Sequence, residues 1–231
     1  MHISKAVRIM SVLVIAFFFT APGVFAGVYF ESTQIIKNLP GQPDSRHEIK
    51  NYITEHASRS ETSDRIIITD FDAGIMYQLD PQTKTYHQIN LAATGMPRMN
   101  AQESAAIKGV LKKMMGGVSV TPTGETGEVA GYPCRKYRVH IMMTQSEYWV
   151  SDQVPGYSEL KAIGRKAAEM FNRNPMMKQM NFAAMITDLN GFPLKTVMSM
   201  MNGAMTTTVT RIEKKQIPGN LFTLPAGYRK K

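Results

Sequence analysis

Runs of alternating apolar and polar residues, separated by turn residues, recur along most of this 231-residue chain. Apolar side chains occupy every second position in 75–79 and again in 137–143. A period of two is typical of a strand that buries one face. The pattern therefore favours a fold built mainly from β-sheet.

Turn signals divide these runs into hairpins. Asp80–Lys84 separates the run 75–79 from a returning strand, and Asn202-Gly203 separates 194–201 from 205–213. Asn-Gly is a strong two-residue hairpin signal. Asn190-Gly191 has the same form, so we expect a strand over 182–188 to pair with the strand that begins at Leu194. Together with the runs 65–69, 118–129 and 146–151, the chain contains about ten strands.

Two segments show the spacing of a helix instead. The first lies between Asn100 and Gly116 and repeats Ile107, Leu111 and Met114. The second covers 158–174, ends before Pro175, and carries the apolar stripe Leu160, Ile163, Ala167 and Met170. Helices placed between runs of strands, without regular alternation, indicate an α+β fold with an antiparallel sheet. A sheet this long curls, so we expect a strongly curved, unclosed half-barrel of about ten strands, with two or three helices covering its concave face.

The N-terminus has the pattern of a cleavable signal peptide. Lys5 and Arg8 precede an apolar run over 9–19, and small residues lead to Ala26. The alternative, a retained membrane span, requires about 20 consecutive apolar residues, and Pro22-Gly23 interrupts the run early. We therefore expect residues 1–26 to be removed after Ala26, and residues 27–231 to form a single domain in the periplasm.

The cysteine content bears on how the fold is stabilised, and the net charge bears on which kinds of partner the protein can bind. Cys134 is the only cysteine, so the fold is stabilised by burial and not by an intrachain disulfide. Without Lys5 and Arg8 the chain keeps 25 basic and 18 acidic residues, a charge of +7. This balance favours anionic surfaces such as lipid headgroups. The scattered charges and the expected compartment argue against nucleic acid.

Methionine is the most unusual component, because 15 of the 18 methionines lie between Met96 and Met205. Thioether side chains are flexible enough to fill a core or to line a pocket that adapts to varied ligands. Soft sulfur also binds Cu(I), and Met177 and Met180 have a spacing suited to such a site. Core packing, an adaptable apolar pocket and copper binding all remain open at this point.

No pattern in the sequence requires an enzyme. The histidines His47, His56, His87 and His140 show no metal-ligand spacing, so we expect no metal and no cofactor. Asp70 and Asp72 lack the rest of a calcium loop and are better explained as turn residues. Cys134 is interpreted as a quiet, half-buried thiol. We expect no catalytic residue.

Three short motifs carry a resemblance to a known family: 131–137 (GYPCRKY), 147–152 (EYWVSD) and 224–228 (LPAGY). In these motifs the chain is similar to an uncharacterised family of exported bacterial domains, which in turn resembles the periplasmic lipoprotein carriers of the Lol type. The resemblance implies an unclosed half-barrel whose helix-covered concave face holds acyl chains.

Together these observations predict non-catalytic binding of a lipid or another hydrophobic molecule in a methionine-rich concave pocket. A membrane surface or another envelope protein is a further candidate partner. The alternatives are a methionine-based Cu(I)-handling protein and an envelope interaction module with no ligand. The residues expected to line or cover the pocket are Leu111, Met114, Tyr137, Val139, Ile141, Trp149, Leu160, Ile163 and Met170.

Overall fold

The computed structural model describes residues 24–91, 118–141, 144–174, 178 and 181–231. These residues are mostly β and form one large sheet of twelve strands. The strands are β1 (Val24–Lys37), β2 (Ser45–Thr54), β3 (Ala57–Glu61), β4 (Ile66–Asp70), β5 (Ile75–Asp80), β6 (Thr85–Asn90), β7 (Ser119–Val129), β8 (Tyr132–Ile141), β9 (Thr144–Ser151), β10 (Phe192–Met200), β11 (Gly203–Pro218) and β12 (Arg229–Lys230). The helices are α1 (Tyr157–Arg173) and α2 (Phe182–Asp188), and a short 3-10 helix covers Gly219–Phe222.

The strand order is β12-β6-β5-β4-β3-β2-β1-β11-β10-β9-β8-β7. In this order β12 and β7 stand at opposite ends, so the curved sheet formed by the described residues is unclosed. The expectation of about ten antiparallel strands is wrong in two respects: there are twelve, and the sheet is mixed because β12 pairs with β6 in parallel. A two-residue strand has no periodicity to detect. Its position depends on where the C-terminal segment crosses the sheet.

The predicted acidic turns are confirmed by their hydrogen bonds. The Asp70 Oδ1 atom accepts from the backbone N–H groups of Asp72 and Ala73, at 2.9 and 2.8 Å. Asp80 Oδ1 accepts in the same way from Gln82 and Thr83, at 2.9 and 3.0 Å. A carboxylate that caps its own turn is the common reason for aspartate at such positions. These turns join β4 to β5 and β5 to β6.

The strand predicted over 182–188 is wrong, because this segment is the helix α2. A short apolar run does not distinguish a strand from a buried helix by its pattern. Packing on α1 favours the helix: Gly164 of α1 has no side chain, and a Cβ atom there would lie 3.0 Å from Ile186 of α2. Asn190-Gly191 therefore joins a helix to a strand and is not a hairpin turn.

The hairpin between β10 and β11 is confirmed, but its turn lies one residue earlier than predicted. Met200 pairs with Gly203, so Met201 and Asn202 form the turn, and Met201 adopts a left-handed backbone with φ of 53°. Gly203 is needed for a different reason. A Cβ atom at this position would overlap the backbone carbonyl of Asn38, where the connection between β1 and β2 passes.

Both helices lie on the same face of the sheet, which we call the helix-side face. Leu160 of α1 shares a buried cluster with Val28 of β1, and Met185 of α2 packs on the cluster that contains Val139 of β8. Cross-strand pairing from β1 through β11, β10 and β9 places Val28 and Val139 on the same side. Alternation then assigns every second residue of these strands to this face, except at the register shifts beside Glu31/Ser32 and Pro193/Lys195.

Helix α1 is anchored by ion pairs in its first turn and near its middle. Glu159 in its first turn pairs with Lys214 of β11, and Lys166 pairs with Asp72 beyond β4. The predicted helix over 158–174 is confirmed, and its buried residues are Leu160, Ile163, Ala168 and Met170. Ala168 takes the place that the sequence predicted for Ala167. Helix α1 therefore crosses the sheet from β11 to the β4–β5 turn.

The opposite face carries a second buried core. We call it the tail-side face, because the C-terminal segment after β11, the tail, crosses it. Ile66, Ile68 and Leu79 are buried there. The chain after β11 crosses this face and covers the three side chains with Phe222, Leu224 and Tyr228. Beside them, the Arg59 guanidinium donates to the Leu221 carbonyl at 3.1 Å. The C-terminal segment thus closes this part of the sheet before it adds β12.

Burial changes sharply near the predicted cleavage point. Strand β1 begins at Val24, three residues before the end of the predicted signal peptide. Val24, Phe25 and Ala26 are exposed, whereas 27–29 are buried between β2 and β11. None of the helices formed by the described residues is long and apolar enough to cross a membrane.

Candidate functional site

Cross-strand pairing aligns two rows of side chains on the helix-side face, perpendicular to the strands. The first, the methionine row, runs from β1 to β7 through Ile36, Met205, Met198, Ser146, Val139 and Val120. The second, the hydroxyl row, lies two residues away along each strand and contains Gln34, Thr207, Thr196, Tyr148 and Tyr137. Directly paired residues of an antiparallel sheet point to the same face. The two rows therefore form one continuous floor.

The ends of the methionine row are closed by packing, but its centre is not. Val139 is fully buried under α2, together with Leu189. Met198 and Met205 are only half-buried. Among the described residues, the buried clusters under α1 and α2 do not include either methionine. The middle of the floor thus presents two adaptable thioether side chains that the described clusters leave half-buried.

The hydroxyl row presents hydrogen-bonding groups without protein partners. All five side chains are half-buried. Within the part of the chain that the structure describes, none of the five forms a side-chain hydrogen bond with the protein. Burial raises the pKa of the Tyr148 phenol above its ordinary value, so Tyr148 stays neutral. The row therefore offers neutral donors and acceptors beside an apolar surface.

The structure places three predicted site residues on this floor. Tyr137 belongs to the hydroxyl row and Val139 to the methionine row, and Ile141 lies two residues further along β8 on the same face. Tyr137 and Ile141 are partly buried against the cluster under α2. The strand alternation seen in the sequence was sufficient to group these three side chains.

The predicted residues of α1 pack against the sheet in two separate clusters. Leu160 joins the cluster around Val28, and Ile163 and Met170 join a cluster with Phe71. All three are buried, so they hold α1 on the sheet beside the floor. Two other predicted residues, Leu111 and Met114, lie outside the described residues.

Trp149 lies on the opposite face of β9 from Tyr148. It pairs with Lys136 of β8, and the Lys136 Nζ atom lies 5.5 Å from the centre of its ring. A Cβ atom at Gly127 would lie 2.7 Å from the same ring, so the indole packs directly over a glycine. Glu147 and Glu125 pair with Lys136 at 3.0 and 3.1 Å, and hydrogen bonds to them raise its pKa. The indole thus contacts an ion-paired lysine and also packs against the buried cluster that contains Cys134 and Leu160 of α1.

The residues at the centre of the floor were not among the predicted site residues. Met198 and Met205 were noticed as part of a methionine-rich region, and Gln34, Thr196 and Thr207 were not singled out. A signal existed, because 196, 198, 205 and 207 alternate on both sides of a predicted hairpin turn. The turn lies at Met201-Asn202, one residue earlier than predicted, and this position decides which of these residues pair directly.

A cavity of about 550 Å³ lies elsewhere, at one end of β4, β5 and β6. Its lining residues are Asp64, Arg65, Gln78, Leu79, Asp80, Gln82, Thr85, His87 and Lys231. None of the predicted site residues that the structure describes is among them. Two of its carboxylates serve turns: Asp80 caps the β5–β6 turn, and Asp64 accepts from the Thr62 hydroxyl at 2.8 Å, which lowers the Asp64 pKa.

Two reactive side chains, Cys134 and His56, are engaged in structural contacts. The Cys134 thiol is buried and donates to the Tyr132 carbonyl at 3.4 Å, and burial raises its pKa. His56 Nδ1 lies 2.8 Å from Asp72 Oδ2. Among the described residues, no three His, Cys, Asp or Glu side chains come together as a metal site. Met177 and Met180, the candidate ligands of the Cu(I) alternative, lie outside the described ranges.

Comparisons with solved structures show distant likenesses. An uncharacterised conserved protein from Thermus thermophilus is similar with a TM-score of 0.48 and 6% identity, over 89% of each chain. PNGF-II is similar with a TM-score of 0.43 and 13% identity, over 89% of this chain, which spans 31% of the PNGF-II chain. A LolA superfamily protein from Nitrosomonas europaea is similar with a TM-score of 0.36 and 6% identity, over 85% of this chain and 90% of that one.

Comparison with curated proteins gives no match. A family model described as "Domain of unknown function (DUF4412)" matches residues 32–228. The matched range contains all three motifs that carried the resemblance, 131–137, 147–152 and 224–228, and it confirms the resemblance to an uncharacterised family. Since the match covers most of the sequence, the chain belongs to the DUF4412 family.

Proposed function

We propose that this protein binds a lipid or another hydrophobic molecule on the floor of its helix-side face and performs no chemistry on it. The observation that supports this proposal is the centre of the methionine row. Met198 and Met205 pair across β10 and β11, are half-buried, and belong to none of the buried clusters formed by the described residues.

The physical gain from such binding is sufficient. Apolar contact contributes about 25 cal/mol per Å² removed from water, so covering roughly 200 Å² of an acyl chain contributes about 5 kcal/mol. Methionine side chains adapt their rotamers to chains of different shape. The buried, uncharged Cys134 thiol supports a binding role over nucleophilic catalysis.

The same proposal places the protein outside the cytoplasm, in the periplasm. The pattern of Lys5, Arg8 and the apolar run over 9–19 supports export. Removal of residues 1–26 takes away three exposed residues at the start of β1, with their pairing to 216–218, and leaves the buried residues that begin at Gly27. Mass spectrometry of the mature protein from the periplasm is expected to give a chain that begins at Gly27.

A direct test uses the uncharged fluorescent probe N-phenyl-1-naphthylamine. We expect saturable binding to the wild type, and at least a tenfold loss of affinity when Met198→Gln and Met205→Gln are combined, because amides replace the apolar contacts. Val197→Gln is the matched control, since Val197 is also half-buried but points to the opposite face. Equal binding by the wild type and the double variant would overturn the assignment to this floor.

Native mass spectrometry of periplasmic protein complements the probe. A bound mass that appears in the organic extract as a lipid supports the proposal and identifies the ligand. A bound mass that corresponds to copper would favour the Cu(I) alternative instead. A bare chain that also fails to bind the probe would favour an interaction module without a ligand.

A further inference from the structure

The hydroxyl row adds a line of polar groups beside the apolar surface of the methionine row. Strands are about 4.8 Å apart, so its five side chains extend roughly 19 Å across the sheet. The row runs beside the methionine row at a separation of about 7 Å, which is two residues along a strand. A ligand that lies along the methionine row therefore meets a parallel line of polar groups over much of its length.

The polar groups of the row are all neutral. Gln34, Thr196, Thr207, Tyr137 and Tyr148 supply amide and hydroxyl groups, each of which donates and accepts hydrogen bonds. The charged neighbours Lys195, Glu147 and Arg138 lie on the opposite face of the sheet. Arg135, which shares the face, is already bound to Asp152 at 2.9 Å and to the Asn190 carbonyl at 3.0 Å.

This arrangement discriminates between kinds of lipid. A carboxylate or a phosphate loses strong hydration when it is half-buried, and it needs a cation to compensate for that loss. Among the described residues of this face, Arg135 and Lys214 are already paired with carboxylates, and the titratable group next in line with the hydroxyl row is the imidazole of His47, which pairs with Gln34. Hydroxyl and ester groups are less strongly hydrated, and they can form hydrogen bonds with threonine and tyrosine hydroxyls. Half-buried hydroxyls without protein partners suit a ligand that carries such groups.

We propose that the ligand is a neutral amphiphile with hydroxyl and ester groups, of the acylglycerol class. Its acyl chain lies on the methionine row and its polar groups form hydrogen bonds with the hydroxyl row. This inference rests on the proposed function and adds the chemical class of the ligand to it.

The test compares 1-monooleoylglycerol with oleate at pH 8, each below its aggregation limit and measured by displacement of N-phenyl-1-naphthylamine. We expect the wild type to bind the neutral monoacylglycerol at least tenfold more tightly. The combined variant Thr196→Val and Thr207→Val keeps the shape of both side chains but removes two hydroxyls. The affinity of this variant for monooleoylglycerol should be lower by about tenfold or more, since each lost hydrogen bond reduces affinity about three- to tenfold.

Two controls make the outcome specific. The affinity of the double variant for N-phenyl-1-naphthylamine should stay within twofold of the wild type, which shows that the fold and the methionine row are intact. Thr206→Val with Thr208→Val removes two hydroxyls from the opposite face of β11 and should leave monooleoylglycerol binding unchanged.

The results separate failure of this inference from failure of the proposed function. If the probe binds but oleate competes as well as monooleoylglycerol, or if the Thr196 and Thr207 variant loses nothing, the acylglycerol assignment is overturned and the hydrophobic site stands. If neither the probe nor monooleoylglycerol binds the wild type, both the proposed function and this inference are overturned.

Discussion

Both faces of the sheet carry apolar side chains at alternate strand positions, but these side chains are buried to different extents. On the tail-side face, Ile68 and Leu79 are almost completely buried, because Phe222 and Tyr228 from the C-terminal segment cover them. On the helix-side face, Met198 and Met205 stay half-buried. An apolar strand face becomes core only where another part of the chain supplies the cover. Substitutions on each face can test this difference.

Truncation of a side chain should cost far more stability on the tail-side face. Ile68→Ala creates a cavity in a filled core and should lower the free energy of unfolding by about 3 kcal/mol. Met205→Ala should lower it by only about 1 kcal/mol, since half of that side chain already contacts solvent. Urea unfolding followed by circular dichroism measures both. Similar losses for the two variants would contradict the distinction between the faces.

The cover of the tail-side core should be separable from ligand binding. Phe222→Ala should destabilise the protein by about 2 kcal/mol, less than a fully buried aromatic because Phe222 is only partly buried. Its affinity for N-phenyl-1-naphthylamine should remain within twofold of the wild type. A large loss of probe binding in folded Phe222→Ala would show that the two faces are coupled.

The polar part of the tail-side cover should contribute less. Arg59→Leu removes the hydrogen bond to the Leu221 carbonyl and the ion pair with Glu61 at 3.1 Å. We expect a loss of about 1.5 kcal/mol in the free energy of unfolding, because the Leu221 carbonyl loses its hydrogen-bond donor. Val197→Leu, on the same face but distant from the tail, is the control. No difference between the two variants would show that the tail is held by apolar contacts alone.

The smallest effect concerns the anchor of α1 on the helix-side face. The hydrogen bond from Lys214 holds the pKa of Glu159 at about 2, below about 4.3 for an unfolded chain. The pair therefore stabilises the fold above that unfolded value, and the stabilisation is lost as pH falls towards 2. Glu159→Gln should remove this dependence.

The size of this effect is limited by solvent. The side chains of Glu159 and Lys214 are 28% and 56% exposed, so the contribution should be below about 1 kcal/mol. Urea unfolding of the wild type and of Glu159→Gln at pH 7, 4 and 2.5 measures it. The stability advantage of the wild type should shrink as the pH falls, and an advantage that grows at low pH would contradict a depressed Glu159 pKa.

Several elements could be predicted from local pattern. Strand alternation over 75–79 and 137–143 gave β5 and β8, and the stripe of α1 gave three of its four buried residues. The capped turns at Asp70 and Asp80 followed from side chains that bond their own backbone. Local interactions decide these features, so a local segment of sequence is enough to recognise them.

The candidate site was predicted only in part. Alternation grouped Tyr137, Val139 and Ile141, but it could not assign a face to Trp149 relative to the helices. Alternation fixes that Tyr148 and Trp149 point to opposite sides, and only packing decides which side receives α1 and α2. The pairing of Met198 with Met205 depends on the position of the turn at Met201-Asn202.

The sequence by itself determined the mainly β character, the identity of most strands, the course of α1 and membership of an uncharacterised family. The tertiary structure decided that 182–188 is a helix, that the C-terminal segment adds a parallel edge strand, and that this segment covers the tail-side face at β4 and β5 while Met198 and Met205 on the helix-side face stay half-buried. These features depend on contacts between residues distant in sequence. Their energies exceed the small intrinsic preferences of a seven-residue or two-residue segment.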